Sequence, residues 1–125
     1  MVLVDANVIV RIATRTPKEQ YEQVREFFQK VARGEVRVYL MSEVAMEVYF
    51  VLWKVYGMPK ERILDLLERV LSFKNVACDD ILKEALSILR ERNIDFVDAM
   101  LCARARIFGD EIFSFDKKVI QCAKL

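Results

Sequence analysis

Four acids stand where a carboxylate has reason to do more than meet water. Asp5 follows the apolar run Val2-Leu3-Val4, which puts it at the carboxyl end of a strand. Asp116 follows Ile112-Phe113-Ser114-Phe115 in the same way. Glu47 lies among Met46, Val48, Tyr49, Phe50, Val51 and Leu52, where a carboxylate is costly to bury without a charged partner. Asp98 stands three residues after Asp95, in the first turn of a helix. In an open parallel sheet, strand ends and the helix starts that follow them lie on one edge, where ligands bind. Carboxylates drawn together there repel one another unless a cation lies between them or protons are taken up. Oxygen-only ligands point to Mg²⁺ or Mn²⁺.

Each acid also has a plainer reading. Asp5 and Asp116 can cap the turns that follow them. Asp95 can be a helix N-cap with Asp98 in its first turn. Glu47 can lie on a narrow solvated stripe with Glu43 and Lys54. Of Glu43 and Glu47, the second is the one expected to be buried, since Glu43 at the helix entrance suits the dipole.

Composition narrows the chemistry. The chain has 125 residues, a length that suits one domain over 1–125, and 54% of them are hydrophobic, enough for a sizeable core. Twenty basic and nineteen acidic residues leave a net charge of +1, so any nucleic-acid surface must be a local patch. Histidine is absent, which excludes His-based triads and disfavours zinc. Cys78, Cys102 and Cys122 lack metal-ligand spacing and read as core residues in a reducing cytoplasm. No apolar run reaches membrane-spanning length, and no signal peptide is expected before the first strand.

The elements that must position the acids follow from periodicity and punctuation. After the opening strand, 8–13 opens a short helix or turn. Thr16-Pro17 reads as cap and first residue of a helix carrying Tyr21, Val24, Phe27, Phe28 and Val31 at helical spacing, stopped by Gly34. Residues 36–41 read as a strand. Ser42 is expected to cap a helix over 43–56, ended by Gly57, and Pro59 opens another over 60–71. Residues 75–78 are a strand candidate, and Asp79 or Asp80 caps a helix through Leu89. A helix from Asp95 through Ile107 stops at Gly109, 111–115 is the last strand, and 116–123 a final helix. Strands alternating with helices predict a three-layer α/β/α fold on a central parallel sheet.

Asp5-Ala6-Asn7, the run from Glu47 to Leu52, the run from Asp95 to Ala103 and Ser114-Phe115-Asp116 together resemble the PIN-domain ribonucleases, and within them the VapC-type toxins of toxin–antitoxin pairs. The resemblance spans essentially the whole chain. It implies a PIN-like fold and a metal-holding catalytic site of Asp5, Glu47, Asp98 and Asp116, supported by Asn7 and Ser114. It also implies metal-dependent RNA cleavage, a homodimer and a small inhibitory antitoxin. Phosphodiester hydrolysis suits these residues, because bound Mg²⁺ or Mn²⁺ can activate water, align the backbone and neutralise developing charge. Arg11, Arg15, Lys117 and Lys118, close in sequence to the acids, are candidate RNA contacts as well as ordinary solvated surface.

Two other readings compete. A receiver-type phosphoacceptor domain would use Asp79 or Asp80 as acceptor, with Asp5 holding magnesium and Lys117 on phosphate. It lacks the paired acid after the first strand and leaves Glu47 and Asp98 unexplained. A catalytically silent binding module on the PIN-like fold is the second alternative.

Overall fold

Three short apolar runs build the sheet, and all three belong to the first part of the chain. In the computed structural model, which describes residues 1–124, two compact units meet in sequence after Cys78. The first unit runs β1 (Val2–Leu3), α1 (Ala6–Thr14), α2 (Lys18–Ala32), β2 (Val38–Leu40), α3 (Ser42–Lys54), α4 (Lys60–Ser72) and β3 (Val76–Cys78). Its strands pair in parallel in the order β1-β2-β3, with Val2 opposite Val38, and Leu40 opposite Cys78. Parallel neighbours need crossovers, and the two helical pairs α1–α2 and α3–α4 supply them.

The core of this unit comes from helical stripes together with Val38 and Leu40 of β2. Ala45, Val48 and Leu52 of α3 are fully buried, as are Ile63, Leu64 and Leu67 of α4 and Ile9 of α1. The Val, Leu and Ile side chains among these contribute about 1.5–3 kcal/mol each when fully buried. α3 buries only that one stripe. Phe50, Trp53, Val55 and Tyr56, at its end and just beyond it, stay exposed.

Several local expectations are corrected. Thr16 does not cap α2. Pro17 takes the extended cap position itself, at ψ 152°, and makes no side-chain cap bond. Ser42 is the first residue of α3, and Met41 holds the cap position. The second strand is shorter than 36–41 at both ends. Gly34 does stop α2, at φ 80°.

The second unit holds α5 (Asp80–Glu91), α6 (Phe96–Phe108) and α7 (Lys117–Ala123). Asp79 caps α5 by accepting from the Ile81 N–H at 2.9 Å. α6 presents Ala99, Cys102, Ala103 and Arg106 on one stripe, and the first three are fully buried. Small residues there let α5 and α7 pack close. Arg106 joins all three helices. Its Nε donates to the Cys122 carbonyl of α7 at 2.9 Å, and its Nη1 donates to Glu84 Oε1 of α5 at 3.2 Å. Only 10% of its side chain is exposed, against 39% for Glu84, so the bond to the Cys122 carbonyl is the better shielded of the two.

The expected last strand is absent: among the described residues, 111–115 forms no strand. Phe113 and Phe115 are 90% and 94% exposed. The local reason is a turn. Ser114 Oγ accepts from the Asp116 N–H at 3.0 Å, and such a bond competes with an extended ladder. Aromatic residues favour strands only where a neighbouring strand and a packed face exist.

Candidate active site

α6 begins after Asn93-Ile94, with Asp95 in the N-cap position at φ −71° and ψ 157°. Asp95 makes no side-chain cap bond, so the cap leaves its carboxylate unused. Asp98 follows one turn later on the same side of the helix. Both face a pocket of about 250 Å³ lined also by Asn93, Ile94, Asp116 and Lys118. Asp116 reaches it from the head of α7, where its Oδ1 accepts from the Lys118 N–H at 2.8 Å. The Lys118 ammonium reaches across to the Asn93 carbonyl at 3.5 Å. The capping reading of Asp116 is therefore correct. It engages one carboxylate oxygen and fixes the direction of the other.

The electrostatics single out Asp98. Its carboxyl is held above the ordinary value of 3.8, first by burial and then by the charges of Asp95 and Asp116. Burial penalises the charged form, and like neighbours penalise it again. From sequence alone Asp95 reads as a cap and Lys118 as one surface cation among several. The i, i+3 spacing of Asp95 and Asp98 is the signal that both share a side of α6.

Asp5, Asn7 and Glu47 belong to the first unit. Asp5 Oδ1 accepts from the Val8 N–H at 3.3 Å and caps α1. Asn7 is exposed in the first turn of that helix. Glu47 is exposed, and the expectation that it is buried is corrected. The buried stripe of α3 is Ala45, Val48 and Leu52, which turns Glu47 outward with Glu43 and Lys54. Ser114 fixes the backbone before Asp116. Arg11 is tied to Gln20 Oε1 at 2.7 Å, and Arg15 lies at the end of α1 away from Asp5. Lys117 is exposed at the start of α7.

Among the described residues, no three His, Cys, Asp or Glu side chains form a group that could hold a metal ion. The donor chemistry nevertheless fits a hard divalent ion. The pocket offers carboxylate and amide oxygens, and its acids oppose one another's charge. Cys102 does not compete as a ligand. Burial and its contact with Cys122 push its thiol up to about 12.

Comparison with known proteins follows the same line. The family described as PIN domain matches residues 2–125. A VapC ribonuclease of Aquifex aeolicus (strain VF5) is 24% identical over 121 residues, spanning 94% of this chain and 89% of its own. No solved structure matches. The family match, the parallel sheet and the helices bear out the PIN-like α/β class and the resemblance read from the sequence.

The raised pKa of Asp98 has a testable consequence. Between 3.8 and its folded value the native state binds more protons than the unfolded chain. Stability therefore falls as pH rises through that window and carries the full penalty above it. In EDTA, Asp98→Asn should melt at higher temperature than the wild type at pH 7. That advantage should shrink as pH falls toward 3.8. Parallel melting curves for the two proteins across the pH range would show that Asp98 is neither desolvated nor repelled.

Proposed function

We propose, since this chain belongs to the PIN domain family, that it is a Mg²⁺- or Mn²⁺-dependent endoribonuclease and the toxin of a toxin–antitoxin pair. The observation that carries the reading is the pocket shared by Asp95, Asp98 and Asp116, in which the Asp98 charge is disfavoured. A divalent cation is the natural complement of that arrangement. Asp5, Glu47, Asp98 and Asp116 are the proposed metal-holding catalytic carboxylates, with Asn7 and Ser114 in support. The VapC ribonuclease similarity supports RNA as the substrate. The single family match over 2–125 supports treating both units as parts of one nuclease domain.

When bound, the ion supplies an activated water and neutralises charge developing on the phosphodiester. The chain's own residues do the holding. The Ser114 turn and the α7 cap aim Asp116, and Asp98 stands half-buried in the same pocket. Lys118, at the same pocket, can meet a phosphate oxygen, with Arg11 and Lys117 as weaker candidates. The receiver alternative finds no support in the comparison, since the matching family is PIN. A reducing cytoplasm suits this reading: none of the described cysteines is in a disulfide, and no described helix is long and apolar enough to cross a membrane.

A homodimer is part of the proposal. Phe50, Trp53, Val55 and Tyr56 leave an exposed apolar patch at the end of α3, and patches of that kind mark interfaces. Light scattering at micromolar concentration should give twice the 14.7 kDa chain mass, and a monomer would rule the dimer out. A small antitoxin is the other partner, and a purified complex that cleaves RNA as fast as the chain alone would count against it.

The activity itself is tested on single-stranded RNA. Cleavage should need Mg²⁺ or Mn²⁺, stop in EDTA, and drop by about a hundredfold or more in Asp98→Asn. Hydrolysis by water leaves a 5′-phosphate and a 3′-hydroxyl. A 2′,3′-cyclic phosphate would mean attack by the RNA's own hydroxyl and a different mechanism. No cleavage at all with either metal would favour the silent binding module.

A further inference from the structure

A second pocket, wholly within the first unit, is built from basic side chains. It measures about 390 Å³, in the range of ligand clefts, and lies between the α1–α2 junction and α4. Arg15, Arg62 and Arg69 line it together with Tyr21 and Asp65. Three guanidinium groups against one carboxylate leave this lining at a net +2. Arg62 and Arg69 are seven residues apart on α4, two turns along one face, so their stems rise on the same side. The Arg15 guanidinium sits 5.9 Å from the centre of the Tyr21 ring.

Arg15 is held there against backbone preference. It caps α1 in the left-handed conformation, at φ 60° and ψ 20°, with its N–H on the Arg11 carbonyl at 2.8 Å. Among the described residues it is the sole non-glycine at positive φ, while Gly34, Gly57 and Gly109 take the others. Glycine would hold this turn with less strain. The position thus gives up some stability for a side chain, and that side chain enters the pocket. Strain retained at a ligand site is a common functional signature.

We infer that this pocket binds a phosphate of single-stranded RNA, away from the bond that is cut. The inference rests on the ribonuclease reading above and extends it. Guanidinium forks match phosphate oxygens in bidentate pairs. Tyr21 adds an aromatic surface of the kind on which unpaired bases stack. Arg15 stands ten residues beyond Asp5, about 15 Å along α1, so the phosphate held here is not the one beside Asp5. The pocket anchors the strand, and the acids act elsewhere along it.

The test is equilibrium binding of a labelled, unstructured RNA in EDTA, where no cleavage interferes. Arg62→Gln/Arg69→Gln should weaken binding by about tenfold and flatten the dependence of log affinity on log salt by about 0.7, for the one phosphate charge left without its guanidinium pair. Arg15→Gly should also weaken binding, yet melt no lower than the wild type, because it relieves the turn. Arg25→Gln, on the exposed side of α2, removes the same charge elsewhere and should leave affinity within about twofold. Wild-type affinity in the pocket variants, or an equal loss in Arg25→Gln, would overturn the inference. So would variants that keep RNA but lose a polyglutamate peptide, since the pocket would then serve a carboxylate partner. The nuclease reading fails separately, through a wild type that binds RNA in this assay and does not cut it when Mg²⁺ or Mn²⁺ is added.

Discussion

Like charge held at close quarters is the constraint on which the second unit depends. Asp95, Asp98 and Asp116 share one pocket, and left to themselves they would drive α6 and α7 apart at that end. What opposes them is Arg106. It binds the Cys122 carbonyl near the far end of α7 and Glu84 on α5, from a largely buried position. Hydrogen bonds to a charged group of this kind contribute about 1.5–3 kcal/mol each, a real share of a total stability of roughly 5–15 kcal/mol. The Ser114 turn and the Lys118 N–H then fix Asp116 itself. Structure and repulsion are in balance, and a divalent ion would shift that balance.

The first unit divides its labour along α1. Asp5 caps the helix at its start, and Arg15 closes it at the end. One short helix therefore separates the Asp5 carboxylate from the Arg15 guanidinium. On the central strand of the sheet, Val38 and Leu40 are wholly buried and Tyr39 is half-buried.

Much of this was legible from residue order alone. Among the described residues, the three parallel strands and the helices after α1 lie close to where periodicity and the breakers Gly34, Gly57 and Gly109 put them, and α1 settles the choice between a short helix and a turn as a helix. Asp98 and Asp116 were legible as two of four acids expected at one sheet edge, and they line one pocket in the second unit. The fourth strand was misread because Ile112 to Phe115 has strand propensity, whereas a serine-to-backbone bond two residues on decides the local shape. The burial of Glu47 was misread because apolar neighbours on a helix do not all face inward; the buried stripe of α3 is Ala45, Val48 and Leu52. Arg62 and Arg69 carried no signal at all, since a cation at helical spacing reads as solvated surface until a pocket is seen beside it.

The central claim is that these carboxylates form a metal site, and the most direct test is the stability of the wild-type protein itself. Thermal unfolding should be followed in Mn²⁺, in EDTA, and in a monovalent salt matched for ionic strength. Ion binding to the native state alone stabilises by about 2.7 kcal/mol when free metal is about a hundredfold above its dissociation constant. Mn²⁺ should therefore raise the melting temperature well beyond the matched salt, which can only screen the repulsion. Equal melting temperatures in all three solutions would contradict the claim and leave these acids as caps and surface charges.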